Sequence, residues 1–145
     1  AATIDEFALY IGFPVFCGVQ AAFLRYESEA VIPYAEHILK HSTVKSNLNP
    51  DLIIQLGTNL VSTEIQGIIS QTMKGGDNDV SHVLVHPYYT SERSDPSFTV
   101  THRVHSHPTT FLVSVRKYLD SLGLVEGDCN SELFPLVSLG QEIGK

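Results

Sequence analysis

Three histidines fall within the stretch 101–108, "THRVHSHP": His102, His105 and His107. Imidazole binds transition metals and exchanges a proton near neutral pH, so the cluster suggests a metal site or an acid–base site. On a strand, alternate residues share a face, which puts His105 and His107 together and His102 opposite. A zinc site needs three or four converging ligands, and no carboxylate or cysteine partner for this pair is evident. We therefore predict no metal here, and we assign the stretch to a strand end followed by a helix that begins near Pro108.

Other catalytic constellations are also missing from the sequence. It contains no G-x-S-x-G elbow and no Walker loop, and no recognisable motif surrounds Cys17. We therefore predict no catalytic residue in this chain.

Two segments carry residue types that bind anions. In "LGTNLVS", which follows an apolar run, Gly57, Thr58 and Ser62 are candidates for an anion cradle at a helix N-terminus. The segment lacks the further glycines of a G-x-G-x-x-G loop, so a plain strand–loop–helix junction is the alternative. In the polar loop "SERSDPS", Arg93 could hold a carboxylate ligand in a bidentate pair, and a solvated turn is the alternative.

The overall composition bounds the class of protein. The 145 residues are enough for one domain with its own core, and the net charge is −7. The basic residues are scattered, which argues against a nucleic-acid binder, and no apolar run is long enough to span a membrane. Cys17 and Cys129 lie far apart, which fits neither a disulfide framework nor a zinc motif and is compatible with a reducing compartment. The start without methionine predicts a fragment or a processed product of a longer protein.

The helices and strands that must position these residues follow from the hydrophobic period. Thr3 and Glu6 form a capping-box pattern, and Ser62 or Thr58 is placed to cap a later helix. We predict helices at 3–12, 30–41, 58–73 and 107–123, and strands at 13–17, 51–57, 80–87 and 98–106. In the last helix we expect the inward side chains to be Phe111, Leu112, Val115, Tyr118, Leu119 and Leu122.

This order of elements predicts the fold class. Strands that are apolar throughout and alternate with helices indicate a parallel sheet covered on both faces. The predicted fold is a three-layer α/β/α domain with a mostly parallel, Rossmann-like sheet over residues 1–123. Residues 124–145 show no sustained period and are predicted to form a C-terminal tail or an interdomain linker.

Several segments in series resemble one enzyme family. They read "LYIGFPVFCGVQAAFLR", "VIPYAEHILKH", "DLIIQLGTNLVSTEIQGII" and "VLVHPYYTSERSDPSFTVTHRVHSHPTTFL". In this order, over residues 4–122, they are similar to the central domain of SEPHCHC synthase (2-succinyl-5-enolpyruvyl-6-hydroxy-3-cyclohexene-1-carboxylate synthase). That family comprises the thiamine-diphosphate enzymes of menaquinone and phylloquinone biosynthesis. The matching positions are Gly57 with Ser62, Arg93 with Asp95-Pro96, and Ser106-His107-Pro108 with Phe111-Leu112.

The chain also departs from the family's pattern. The family has Ala-Asp-Pro after its first strand, whereas residues 17–19 here read Cys-Gly-Val. The family's lysine early in the helix after the glycine is replaced by Thr63, and the aspartate that starts the last helix is replaced by His107. In the family, the cofactor-activating glutamate and the GDG…Asn motif for diphosphate and magnesium lie in the flanking domains. "EGDCNSE" (126–132) is not that motif, because no second glycine follows Asp128.

The resemblance implies a function. The chain would be the central, mainly structural domain of a synthase that decarboxylates 2-oxoglutarate on thiamine diphosphate and adds the carbanion to isochorismate. Thiamine diphosphate and Mg²⁺ would bind in the parent enzyme and not in this chain. The partners would be the flanking catalytic domains and, in the parent, further copies of the same chain. The location would be cytoplasmic in a prokaryote and plastidic in a photosynthetic eukaryote.

Within that reading, Arg25, Arg93 and Arg103 are the candidates for holding an acidic effector or substrate. Two other functions stay open. One is a stand-alone α/β binding module with a small anionic ligand at the carboxyl ends of the strands, where open α/β sheets bind ligands. The other is a histidine-based metal protein, whose binding of Zn²⁺ or Ni²⁺ would be lost in His105→Ala.

Overall fold

The computed structural model describes residues 2–18, 21, 29–32, 34–58, 60–75, 80–88 and 97–123. Within these ranges five helices and three strands occur in the order α1 (Ala2–Ile11), α2 (Ala35–Ile38), α3 (Ser42–Asn47), β1 (Leu52–Leu56), α4 (Thr63–Lys74), β2 (Ser81–Val85), β3 (His102–Val104) and α5 (Pro108–Ser121). The chain divides into two compact units: residues 1–38 with 109–145, and residues 39–108. Among the described helices, none has the length and hydropathy needed to cross a bilayer.

The unit of residues 39–108 contains the sheet. Its strand order is β1-β2-β3, and both pairs are parallel. Leu56 pairs with Val85, and Val85 pairs in turn with Val104. Parallel neighbours need a crossover connection, which α4 provides between β1 and β2. The predicted fold class, α/β with an open parallel sheet of the Rossmann-like kind, is therefore confirmed.

The core of this unit lies along the central strand. In β2, His82, Leu84 and Val85 are buried. The strand predicted at 51–57 is confirmed as β1, but each of its residues is half-buried where its apolar composition indicated burial. β1 lies at an edge of the three-stranded sheet, where it has a strand neighbour on one side only.

The first unit contains the largest departure from the predicted elements. The strand predicted at 13–17 is reduced to a single isolated bridge between Val15 and Val31. Its two hydrogen bonds run from Val15 N to the Ala30 carbonyl and from Ile32 N to the Val15 carbonyl, each 3.0 Å long. Around the bridge, Cys17 and Val31 form a small apolar cluster with Ile4, Val15 and Ala21.

The helix predicted at 30–41 is also mostly wrong. Only Ala35–Ile38 is helical, Val31 is in the bridge, and Tyr34 has a left-handed φ of 55°. Ile32 stands before a proline, and the residue before proline is forced away from the helical region. A separate helix, α3, forms at Ser42–Asn47, where no element was predicted.

The predicted last helix is confirmed as α5, with Pro108 at its first position. Leu112 is buried, and Phe111, Val115 and Leu119 are half-buried. Tyr118 and Leu122, expected to face inward, are 64% and 55% exposed. In the same unit, Tyr10 of α1 donates a 2.7 Å hydrogen bond to Asp120 of α5. Arg116 of α5 also lies over the Tyr10 ring, 5.0 Å from its centroid, so polar and cation–π contacts connect α1 with α5.

Candidate functional site

The candidate site lies at the carboxyl edge of the sheet, within the unit of residues 39–108. Gly57 follows β1, His86 follows β2 and His105 follows β3. Gly57 N donates to the Val85 carbonyl over 2.9 Å, and His86 N donates to the Val104 carbonyl over 3.0 Å. These bonds belong to the last paired residues, Leu56 with Val85 and Val85 with Val104, so the chain leaves all three strands at the same edge of the sheet. Open α/β sheets bind their ligands at this edge.

Gly57 makes the turn out of β1. Its φ is 90°, a conformation that residues with a side chain rarely adopt. Its carbonyl accepts a 2.9 Å hydrogen bond from Gln55 Nε2. Apart from its chain neighbours, no atom of the described residues lies within 4 Å of the point where a Cβ would stand. The glycine is thus required by the backbone and leaves room at the site.

The other two residues of the predicted anion cradle have different surroundings. Ser62 is buried and is the N-cap of α4, as the sequence suggested, and its hydroxyl oxygen accepts a 3.3 Å hydrogen bond from Ile65 N. Thr58 lies in the loop and is half-buried. Gln66 Nε2 donates back to the Leu60 carbonyl and closes the turn. The Ser62 oxygen is therefore bonded to the first turn of α4. The use of this segment as an anion cradle stays a prediction.

An anionic side chain already lies at the start of α4. Glu64, in the first turn, forms a 2.7 Å salt bridge with Lys45 of α3. Acidic groups in the first turn are favourable because the N-terminal end of a helix carries partial positive charge. The hydrogen bond from Lys45 lowers the pKa of Glu64, desolvation opposes this shift, and the charges of Lys45 and Lys40 lower the pKa further.

The pH dependence of this salt bridge is a testable consequence. A carboxyl group whose pKa is lower in the folded than in the unfolded protein stabilises the fold at pH values above the unfolded pKa, which is near 4.5. This stabilisation is lost as the pH falls through the folded pKa. We expect Glu64→Gln to lower the urea midpoint at pH 7 and this difference to shrink as the pH falls below 4.5. Glu36→Gln, at an exposed position of α2, is the control. A difference that stays constant down to pH 3 (a value well below the unfolded pKa) would contradict the assignment.

A buried polar chain crosses the sheet next to the site, and sequence reasoning missed it. His82 is only 2% exposed. Its Nε2 lies 3.1 Å from Gln55 Oε1, and its Nδ1 lies 3.1 Å from Thr99 Oγ1. Because Gln55 donates to Gly57 through Nε2, its Oε1 must accept from the imidazole. In the neutral ring, therefore, Nε2 carries the proton and the Thr99 hydroxyl donates to Nδ1.

The main chain of His82 also fixes the start of β3, through two hydrogen bonds with Thr101. Thr101 N donates to the His82 carbonyl over 2.9 Å, and the Thr101 hydroxyl oxygen accepts from His82 N over 2.9 Å. A side chain thus replaces a main-chain group in the β2–β3 ladder. The only signal in the sequence is a single histidine inside the apolar run "VSHVLV". Such a histidine in a central strand needs partners for both ring nitrogens.

The remaining candidate residues, arginines and histidines, do not form one cluster among the described residues. Arg103 lies on β3 opposite Leu84 and is exposed. Arg25 and Arg93 lie outside the described residues. His102, His105 and His107 are all exposed, and His102 Nδ1 is 2.9 Å from the Thr101 hydroxyl. Across the described ranges, no group of three or more histidine, cysteine or acidic side chains is arranged to hold a metal ion.

Comparison with known proteins adds no family assignment. The chain matches no protein-family model and no curated protein.

Proposed function

We propose that this chain is the central α/β domain of a thiamine-diphosphate-dependent SEPHCHC synthase. The observation that carries the proposal is the ordered series of segments resembling that domain over residues 4–122. The order β1, α4, β2, β3, α5 is compatible with the family's sequence of strand, glycine turn, helix, strand, loop, strand and helix. Gly57 and Ser62 fall at the turn and the helix cap in that order.

In this proposal the chain is mainly structural. The residues that activate and hold the cofactor belong to the flanking domains, since the sequence of this chain contains neither the glutamate nor the GDG…Asn motif. Thiamine diphosphate, with Mg²⁺, supplies the parent enzyme with the carbanion equivalent that forms after 2-oxoglutarate loses carbon dioxide. The parent reaction joins that carbanion to isochorismate. This chain contributes the sheet that connects the flanking domains.

The test begins with the reading frame that encodes the chain. We expect an upstream domain with the cofactor-activating glutamate and a downstream domain with GDG and its asparagine. The full-length protein should consume 2-oxoglutarate and isochorismate when thiamine diphosphate and Mg²⁺ are supplied, and the 145-residue chain alone should not. The matched control is the full-length protein with its cofactor-activating glutamate changed to glutamine. A frame without both flanking motifs, or a full-length protein without this activity, rejects the proposal.

A stand-alone binding module for a small anionic ligand is the second candidate function. The observation that favours it is the exposed Arg103 on the strand that ends at the carboxyl edge. This candidate predicts a reading frame without the two flanking domains and saturable binding of a small carboxylate by the chain itself. The reading frame therefore separates the two candidates.

A further inference from the structure

The two edges of the sheet differ in length and in chemistry. β3 has only three residues, and two of them, His102 and Arg103, are exposed. A short strand and charged side chains are features that keep an edge strand from pairing with another chain. β1 lacks both features, because its five residues, Leu-Ile-Ile-Gln-Leu, include no charged side chain and no proline. β1 is therefore the edge that is suited to accept a further strand.

The register shows which main-chain groups of β1 face away from the sheet. Ser81 N donates to the Asp51 carbonyl, and Gly57 N donates to the Val85 carbonyl. Every second residue of a parallel strand bonds to a given neighbour, so the odd-numbered residues of this segment face β2. The even-numbered residues direct their N–H and C=O groups to the other side, where β1 has no strand neighbour within the described ranges. These residues, which we call the open edge, are Leu52, Ile54 and Leu56.

The side chains of the open edge are apolar and lie on one face of the sheet. Alternate residues of a strand point to the same face, which groups Leu52, Ile54 and Leu56 together. Each of them is only half-buried, so apolar surface is left for a partner to cover. A strand added along β1 would pair with the main-chain groups and would cover these side chains at the same time.

The sequence of the open edge is complementary to itself. A two-fold axis at Ile54 makes the β1 strands of two copies antiparallel and puts Ile54 opposite Ile54 of the second copy. In the same register, Leu52 lies opposite Leu56 of the second copy. Each facing pair of the open edge is thus apolar. Because such pairs exchange two main-chain hydrogen bonds each, the two strands would form about six of them.

Electrostatics favour this edge as the place where two copies meet. The chain has a net charge of −7, so contacts between copies generally bring like charges together. β1 contains no charge, and the antiparallel register puts Asp51 opposite Gly57 of the second copy. The two Asp51 side chains are then about 20 Å apart along the strands. This separation exceeds the screening length of about 8 Å at physiological salt, so the paired strands do not repel each other.

We propose that two copies of this chain form a symmetric dimer by antiparallel pairing of β1 with β1. The dimer has one continuous sheet of order β3-β2-β1-β1-β2-β3. The open edge supplies the main-chain hydrogen bonds, and its leucine and isoleucine pairs form the apolar centre of the interface. This inference goes beyond the proposed function, because the resemblance implies further copies of the parent chain but names no surface for their contact.

The first experiment is sedimentation velocity of the chain between about 1 and 300 µM, a range that brackets micromolar affinities. We expect a reversible monomer–dimer equilibrium with a Kd of about 10–100 µM, because one pair of strands is smaller than a standard interface of about 1,600 Å². Amide hydrogen exchange, followed by NMR over the same range, locates the contact. The amides of the open edge should gain protection as the concentration rises. Those of Ile53 and Gln55, which are bonded to β2, should be protected at every concentration.

Charge substitutions at Ile54 test the register of the two strands. Ile54→Lys and Ile54→Glu each put like charges opposite one another and should raise the Kd about tenfold or more. An equimolar mixture of the two variants should dimerise again, because lysine then faces glutamate. The control is His102→Lys, which adds the same charge to an exposed position of the other edge strand and should leave the Kd within about twofold.

Far-UV circular dichroism checks that each variant is folded. If the Ile54 variants are unfolded, amide exchange in the unchanged chain decides the question. A chain that stays monomeric to about 300 µM, which is above the Kd range expected for such an interface, would overturn the proposal. Three other results would also overturn it: a dimer that Ile54→Lys does not weaken, a mixture of variants that does not dimerise, and open-edge amides that are already protected in the monomer. The last result would mean that another segment of the same chain covers β1.

Discussion

Replacing His82 with alanine is expected to lower the free energy of unfolding by about 3 kcal/mol. The imidazole is buried, and both of its ring nitrogens have hydrogen-bond partners, Gln55 and Thr99. Its removal leaves a cavity and takes away the hydrogen bonds that the imidazole makes with Gln55 and Thr99. The lost hydrogen bonds add about 0.5–1.5 kcal/mol each to the cost of the cavity.

The measurement is urea denaturation at pH 7. His102→Ala is the matched control, because that histidine is exposed and lies on the adjacent strand. It should change the unfolding free energy by no more than about 0.5 kcal/mol. His82→Leu separates the two contributions, since leucine fills most of the space but cannot hydrogen-bond. Equal stabilities of His82→Ala and His102→Ala would show that the buried polar chain does not stabilise the fold.

Leu84→Ala is expected to lower the free energy of unfolding by about 3 kcal/mol, within the range measured for buried leucines. Leu84 is only 3% exposed and lies on the central strand, paired with Gln55 on one side and Arg103 on the other. Because neighbouring strands hold it on both sides, the sheet cannot easily collapse into the space that the leucine leaves. The cost therefore includes a cavity as well as the lost transfer of the side chain from water.

Leu122→Ala removes the same atoms from a residue that is 55% exposed, which makes it the matched control. It should change the unfolding free energy by no more than about 0.5 kcal/mol. Both variants are compared by thermal and urea denaturation. The slope of the unfolding free energy against urea concentration should be the same in both. A small effect of Leu84→Ala would mean that the centre of the sheet does not form the core of this unit.

The sequence alone determined the elements whose signals are local. Ser62 caps α4 by accepting a hydrogen bond from the N–H three residues later. Gly57 supplies a positive φ that residues with a side chain rarely adopt, and Pro108 begins α5. Each of these signals acts within one helical turn or one chain reversal, so its spacing can be read directly along the chain. The apolar runs that became β1 and β2 are similarly local, and their alternation with helices predicted the parallel sheet.

The tertiary structure decided what depends on partners distant in sequence. The run at 13–17 looked like a strand, but a strand needs a neighbour, and only Val15 found one in Val31. His82 could not be assigned from the sequence because its partners, Gln55 and Thr99, are 27 and 17 positions away. The pairing of Leu84 with Arg103 likewise follows from the register of β2 and β3. Register is set by long-range packing of strands, which no local pattern specifies.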